Sequence, residues 1–209
     1  MRWKAVIFDL DGTLVGTDSE CRKIIVGKTL RELGIASYDS THVDRFWFGA
    51  KREEIIRECF GVEAELFWKA YRPHDTIDLR KKFTNPYKDI DFIQELRRKG
   101  IKVGIVTGAP PHVAEHEISL IGEGNFDSIV IASALGGKKP KPHPEGILEC
   151  LAELGVSKED AVYIGNAEED VITADNAGIP CIIVDRKEHK LEFKEAKPLC
   201  VISSLYELR

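Results

Sequence analysis

Short apolar runs bounded by turn residues recur along the chain and predict buried strands. They lie at residues 4–9, 101–107, 128–132, 161–165, 181–185 and 199–202. Continuous apolar runs of this length are typical of strands that are covered on both faces, as in a parallel sheet. The pattern therefore predicts a parallel sheet at the centre of the fold.

Helical patterns separate most of these runs. They cover residues 90–99, 111–121, 144–154 and 168–177, and a glycine follows each of them directly. Glycine just past a periodic segment is a typical helix stop. The alternation predicts an α/β fold with a doubly wound, parallel, Rossmann-like sheet, whose ligands bind at the carboxyl ends of the strands.

The alternation is interrupted once, between the first and second predicted strands. From residue 17 to about residue 85 the pattern is helical, with a capping-box match at Thr17-Asp18-Ser19-Glu20 and further helices predicted over residues 52–60 and 63–71. We therefore expect a discontinuous core of residues 1–16 and 86–209 and an inserted α-helical cap domain of residues 17–85. We expect the cap to act as a lid over the active edge of the sheet.

The composition and the distribution of charge indicate which kinds of partner the chain lacks. Of the 209 residues, 43% are hydrophobic and 31% charged, and the formal net charge is −5, as in a globular protein. Lysines and arginines are scattered, so no nucleic-acid partner is predicted. The apolar runs are strand-sized, which predicts no membrane association, and the first strand begins too close to Met1 for a signal peptide. We expect a cytoplasmic protein, either a monomer or a homodimer.

Two acids follow the first predicted strand. In the sequence AVIFDLDGT, Asp9 and Asp11 are two positions apart and would project the same way from an extended backbone. One carboxylate can act as a nucleophile toward phosphorus or carbon, the second can move protons, and a divalent cation would offset their repulsion. A lone aspartate often caps a turn, but that role poorly explains a pair on an apolar strand.

Three further strand ends carry polar groups. The second strand ends at Thr107, whose hydroxyl suits phosphate oxygens together with the amide of Gly108. The proline-stiffened loop GGKKPKPHPE follows the third strand, and a buried lysine there would neutralise a phosphoryl group. The fourth strand is followed by Asn166, Glu169 and Asp170 around a helix start. Such oxygen donors suit Mg²⁺, although the helix dipole also favours acids at that place.

These four segments resemble the motifs of a known family. FDLDGT, the threonine of IVTG, KPHPE and IGNAEED are similar, in order, to the four motifs of the haloacid dehalogenase-like hydrolases. The resemblance covers nearly the whole chain and is closest to the phosphoglycolate phosphatase-like branch, which has a small helical cap. It implies a Mg²⁺-dependent phosphatase that hydrolyses the phosphate monoester of a small metabolite through an aspartyl-phosphate intermediate.

The resemblance also implies roles for individual residues. Asp9 would be the nucleophile, and Asp11 the general acid and base. Thr107 would bind the phosphoryl oxygens beside the amide of Gly108. Lys141, which fits the family pattern Lys-Pro-x-Pro, would neutralise the phosphoryl group as a catalytic and phosphate-binding residue.

The implied metal site departs from the family pattern at one position. Mg²⁺ would be held by the Asp9 carboxylate, the Asp11 main-chain carbonyl, Asn166 and Asp170. Phosphatases of the family usually carry aspartate where this chain has Asn166. An amide oxygen can ligate Mg²⁺ but has no charge, which predicts weaker metal binding or compensation from Asp170 or Glu169.

Two alternatives follow from that asparagine. The dehalogenase branch has Ser-Asn followed by an acid in its fourth motif and uses no metal, so a metal-independent 2-haloacid dehalogenase is one alternative. Asp11 opposes it, because a dehalogenase needs no proton-shuttling carboxylate there. The other alternative is a phosphate-ester-binding domain that has lost efficient turnover. Retention of both acids opposes this reading, because binding alone does not require them.

Overall fold

Outside an insert of consecutive helices, strands and helices largely alternate in the structure, a computed structural model that describes residues 2–209. The strands are β1 (Ala5–Phe8), β2 (Val15–Thr17), β3 (Thr84–Pro86), β4 (Lys102–Thr107), β5 (Ser128–Ile131), β6 (Ala161–Gly165), β7 (Cys181–Val184) and β8 (Cys200–Ile202). The α-helices are α1 (Ser19–Glu32), α2 (Thr41–Phe48), α3 (Arg52–Phe60), α4 (Ala64–Tyr71), α5 (Ile77–Phe83), α6 (Phe92–Arg98), α7 (Pro111–Ile121), α8 (Glu145–Leu154) and α9 (Glu168–Ala177).

The central sheet has six strands in the order β5-β4-β1-β6-β7-β8, and every neighbouring pair is parallel. Phe8, at the end of β1, lies between Ile105 of β4 and Ile164 of β6. The chain builds outward from β1 to β5, then crosses to the other side of β1 and builds outward again. This confirms the predicted doubly wound α/β fold and puts the point of reversal between β1 and β6, where such sheets bind ligands.

Alternate residues of the central strands pack on opposite faces of the sheet. In β1, Val6 and Phe8 belong to one buried apolar cluster, whereas Ala5 and Ile7 belong to another. The same division continues through β4, β6 and β7. Because side chains alternate along a strand, covering both faces requires apolar residues at every position, which explains the unbroken runs in the sequence.

The chain divides into two compact units. The core unit comprises residues up to Gly16 together with Asn85–Arg209, and the insert unit is Thr17–Thr84. The insert unit contains α1–α5 around an aromatic cluster in which the ring centroids of Phe60 and Phe67 are 5.5 Å apart. The short strands β2 and β3 pair where the chain passes between the units.

The predicted capping box at the start of the insert unit is wrong. Asp18, not Thr17, is the N-cap of α1, and its side chain accepts a hydrogen bond from the Glu20 amide at 2.8 Å. Thr17 belongs to β2, and its hydroxyl lies 3.1 Å from that of Thr84. Aspartate caps helices as well as threonine does, so the helix begins one residue later and Thr17 stays with the strand pair.

The helices are short. The longest among residues 2–209, α1, has 14 residues. None of the helices in this part of the chain is both long and apolar enough to cross a membrane.

Candidate active site

Asp9 lies at the carboxyl end of β1, at the point where the sheet reverses. Its amide donates to the Ile164 carbonyl at 2.8 Å, so pairing with β6 continues through this residue. The buried carboxylate accepts hydrogen bonds on both oxygens, from Lys141 Nζ at 2.8 Å and from Thr13 Oγ1 at 3.2 Å. Strand pairing and these two donors fix the orientation of the side chain predicted to be the nucleophile.

Lys141 joins two carboxylates. Its Nζ lies 2.8 Å from Asp9 Oδ1 and 2.6 Å from Asp170 Oδ1, and only 7% of the side chain is exposed. Burial alone would lower the pKa of Lys141, but the charges of Asp170 and Asp9 outweigh burial and hold that pKa well above its usual value. The ammonium is therefore a permanent positive charge. Lys139, in the same loop, is exposed.

The Asp9 carboxyl is correspondingly hard to ionise in the protein without ligands. Its pKa is raised to about 7: burial is the largest cause, the Lys141 charge lowers the pKa, and the Asp170 charge raises it. Two buried carboxylates share one ammonium, so the site carries an excess of negative charge. A bound cation would relieve this excess.

Asp170 organises the end of β6 and the start of α9. Its Oδ2 accepts hydrogen bonds from the amides of Asn166 at 2.9 Å and Ala167 at 3.1 Å, while Oδ1 accepts from Lys141. Gly165 makes this possible, because a Cβ at that position would overlap the Asp170 carboxylate. Asp170 thus supports both the lysine and the helix start, and its predicted role as a metal ligand stays a prediction.

The turn after β1 brings Asp11 and Asn166 to the same region. The amides of Thr13, Leu14 and Val15 all point to the Leu10 carbonyl, and the Gly12 amide donates to the Val15 carbonyl at 2.7 Å. Gly12 has a φ of +82°, and a Cβ there would overlap the side-chain amide of the buried Asn166. The first and fourth motifs are therefore in direct contact through a position that only glycine fills without strain.

The donors in this region suit Mg²⁺ in type but are few. The Asp9 carboxylate, the Asn166 amide oxygen and the Asp11 main-chain carbonyl are hard oxygen donors. No group of three or more His, Cys, Asp or Glu side chains positioned to hold a metal occurs among residues 2–209. These donors match the chemistry that Mg²⁺ prefers, and the metal ligands named from the sequence stay predictions.

Thr107 and Gly108 lie beside the lysine. Thr107 ends β4 and is buried, and its hydroxyl oxygen accepts a hydrogen bond from the Ala109 amide at 3.2 Å, which leaves the hydroxyl proton to donate. A Cβ added to Gly108 would be 3.5 Å from Lys141 Cε, so this backbone packs along the lysine side chain. The hydroxyl of Thr107 and the ammonium of Lys141 are both groups that can donate hydrogen bonds to an anion.

Thr13 is the contact residue that the sequence did not single out. Its buried hydroxyl donates to Asp9 Oδ2 and lies 3.5 Å from Asn166 Oδ1. It belongs to the quoted motif FDLDGT, but threonine after glycine is also an ordinary turn residue. The motif alone therefore gave no reason to assign Thr13 a role.

The fold and this site define a hydrolase of a known class. The family model described as haloacid dehalogenase-like hydrolase matches residues 6–184. This chain belongs to that family, which confirms the resemblance found in the four motifs.

Relatives within the family are phosphatases and pyrophosphatases by name. A phosphoglycolate phosphatase from Aquifex aeolicus is 30% identical over 181 residues, covering 84% of this chain and 81% of that protein. The pyrophosphatase PpaX from Bacillus velezensis is 31% identical over 193 residues, covering 85% and 81%.

Solved structures agree with the fold. A hydrolase from Pseudomonas syringae superposes with a TM-score of 0.79 at 17% identity, covering 98% of this chain and 95% of that one. CbbY from Rhodobacter sphaeroides, solved in complex with phosphate, gives 0.73 at 24% identity, covering 99% and 96%.

Proposed function

We propose that this chain is a Mg²⁺-dependent phosphatase that hydrolyses the phosphate monoester of a small metabolite through an aspartyl-phosphate on Asp9. The observation that carries the proposal is the buried arrangement of Asp9, Lys141 and Asp170 at the reversal of the sheet. A buried ammonium beside a nucleophilic carboxylate, with a threonine hydroxyl at the end of the neighbouring strand, suits phosphoryl transfer.

The residues divide the reaction between them. An oxygen of Asp9 attacks phosphorus, while Lys141 and Thr107 hold the phosphoryl oxygens. Asp11 donates a proton to the departing alkoxide and then removes one from the water that attacks the aspartyl-phosphate. Mg²⁺ would be held by Asp9, the Asp11 carbonyl, Asn166 and Asp170 and would neutralise charge on the transferred group. Asp170 keeps Lys141 in place throughout.

The names of the relatives suggest which substrates to test. One relative is named for phosphoglycolate, a monoester, and the other for pyrophosphate, an anhydride. Hydrolysis should be measured for both compounds and for p-nitrophenyl phosphate, each titrated with Mg²⁺. We expect metal-dependent release of phosphate, with 2-phosphoglycolate or another monoester favoured over pyrophosphate.

Two variants identify the residues responsible. Asp9→Asn should lower kcat to less than about a thousandth of the wild-type value, because it removes the carboxylate that forms the covalent intermediate. Asn166→Asp should lower the Mg²⁺ concentration required for half-maximal activity, because it adds a charged ligand. Activity that persists in Asp9→Asn would disprove the aspartyl-phosphate route.

Asn166 favours a second candidate, a binding domain with little turnover, because it removes one carboxylate from the metal site. This candidate predicts that the wild-type chain binds a phosphate ester but hydrolyses none at saturating Mg²⁺, whereas Asn166→Asp turns over. Halide release from 2-haloacids without metal would instead support a dehalogenase.

A further inference from the structure

A second buried ion pair lies behind the turn that follows Asp9. Arg186 follows β7, and 8% of its side chain is exposed. Its Nη1 donates to Asp89 Oδ2 at 2.9 Å. Its Nε and Nη2 both donate to the main-chain carbonyl of Thr13, at 3.2 and 2.8 Å. The guanidinium therefore links a buried carboxylate to the residue that hydrogen-bonds the proposed nucleophile.

The aromatic ring of Tyr87 supports the same turn. Arg186 Cζ lies 4.1 Å from the ring centroid of Tyr87, and the Tyr87 amide donates to the Leu14 carbonyl at 3.0 Å. Arg186 and the Tyr87 amide thus donate hydrogen bonds to two consecutive carbonyls, those of Thr13 and Leu14. The Tyr87 hydroxyl donates to Glu188 at 2.6 Å, which fixes the ring in turn.

The Arg186–Asp89 pair does not have the geometry that gives the strongest pairing. Arginine and aspartate pair most strongly when two guanidinium nitrogens meet both carboxylate oxygens. Here Asp89 Oδ2 accepts hydrogen bonds from Arg186 Nη1, from Ser204 Oγ at 3.0 Å and from the Leu205 amide at 2.7 Å. The buried Asp89 Oδ1 has no hydrogen-bond partner among residues 2–209. Two guanidinium donors go to a neutral carbonyl instead. Leaving a buried acceptor unpaired is unfavourable, so the strength of the Arg186–Asp89 pair alone does not explain where the guanidinium lies.

We propose that Arg186 is a positioning residue for the reaction at Asp9. It holds the Thr13 carbonyl, which places the Thr13 hydroxyl on Asp9 Oδ2 and keeps the nucleophilic oxygen in line for attack. Asp89 orients the guanidinium from the opposite side. This inference rests on the proposed function, because it assigns Arg186 to the phosphoryl-transfer step.

The first measurement separates binding from chemistry. Arg186→Gln should lower kcat for p-nitrophenyl phosphate by about tenfold to a hundredfold with KM within about twofold, because small misplacement of a reacting group slows the chemical step. Arg186→Lys should recover only part of kcat, because an ammonium keeps the charge but lacks the planar pair of donors.

Ser204→Ala is the matched structural control. It removes a hydrogen bond to the same Asp89 oxygen without touching Arg186 or Thr13. It should lower the melting temperature while leaving kcat within about twofold of wild type. The proposal is overturned if Arg186→Gln loses no more kcat than Ser204→Ala does.

The second measurement does not depend on turnover. Hydrogen exchange of the amides from Gly12 to Val15 should be faster in Arg186→Gln than in wild type, and unchanged in Ser204→Ala. Equal exchange in all three proteins would also overturn the proposal. If the wild-type chain hydrolyses no phosphate compound, the proposed function fails, and exchange alone then decides whether Arg186 holds the turn.

Discussion

At the scale of the residue, burial makes the ionised form of the Asp9 carboxyl unfavourable. Its pKa of about 7, caused first by burial, means that the folded chain binds a proton there more tightly than the unfolded chain does. Stability contributed by this proton is present at low pH and is lost as pH rises from about 4 toward 7.

Asp9→Asn removes this pH dependence. The free energy of unfolding of the variant should increase relative to that of wild type as pH rises from 5 to 7, and the difference should be constant above pH 8. Each unit by which the pKa is raised corresponds to about 1.4 kcal/mol. Urea unfolding in EDTA measures the difference.

Asp160→Asn is a control of opposite sign, because a hydrogen bond from Lys4 lowers the Asp160 pKa. That variant should be less stable than wild type at neutral pH and should approach it as pH falls. A difference for Asp9→Asn that does not vary with pH would contradict the prediction.

Lys141 and Lys139 offer a second test at this scale. Lys141→Met leaves two buried carboxylates without their shared cation, so kcat should fall by about a hundredfold or more and stability should fall by about 3 kcal/mol. Lys139→Met changes an exposed lysine of the same loop and should leave both unchanged. Enzyme assays and thermal unfolding compare the two variants. Equal losses would mean that the loop, rather than the buried ammonium, is responsible.

The sequence singled out those residues of the candidate site whose side-chain chemistry is distinctive. Acids at a strand end and a lysine in a stiff loop are rare enough to notice, and parallel strands bring their carboxyl ends together. Arg186 was missed for a physical reason: it binds the main-chain carbonyl of Thr13, and every residue type provides such a carbonyl. No residue pattern at position 13 could therefore reveal the contact.

At the scale of the element, the turn from β6 into α9 depends on Gly165. Gly165→Ala should destabilise the chain by about 1–3 kcal/mol and lower kcat, because the added methyl group displaces Asp170 from Lys141 and from the helix start. Gly124→Ala is the control, since nothing lies within 4 Å of the added Cβ. Thermal unfolding and enzyme assays should separate the two. A Gly165→Ala chain of unchanged stability would show that the turn can relax.

Element boundaries were predictable where a residue restricts the backbone. α7 begins at Pro111 and is followed by Gly122, and its bounds match the prediction. β2 and β3 were not predicted because three residues carry too little pattern. The eight residues of α2 and seven of α5 are similarly short, so their apolar positions did not stand out from the surrounding insert.

At the scale of the whole molecule, each unit has its own apolar interior. The two clusters that cover the sheet contain residues of the core unit alone, and the aromatic cluster contains residues of the insert unit alone. Domains with separate cores often fold independently. The lid role of the insert stays a prediction.

Replacing Thr17–Thr84 by a short Gly-Ser linker tests this organisation. The hydroxyls of these two residues lie 3.1 Å apart, so a short linker can join the chain ends. We expect the shortened chain to fold cooperatively and to hydrolyse p-nitrophenyl phosphate, but to discriminate less among natural phosphate esters. Circular dichroism and a substrate panel measure this. Failure to fold would show that the core unit needs the insert.

The central position of β1 has a consequence for synthesis on the ribosome. Ala5 pairs with Lys102 on one side and with Ala161 on the other, so the first strand to emerge must wait for most of the chain before both its edges are covered. The insert unit, by contrast, is one continuous segment and can assemble while translation continues. The apolar surface of β1 therefore stays uncovered until β6 has been made, and uncovered strand edges favour aggregation.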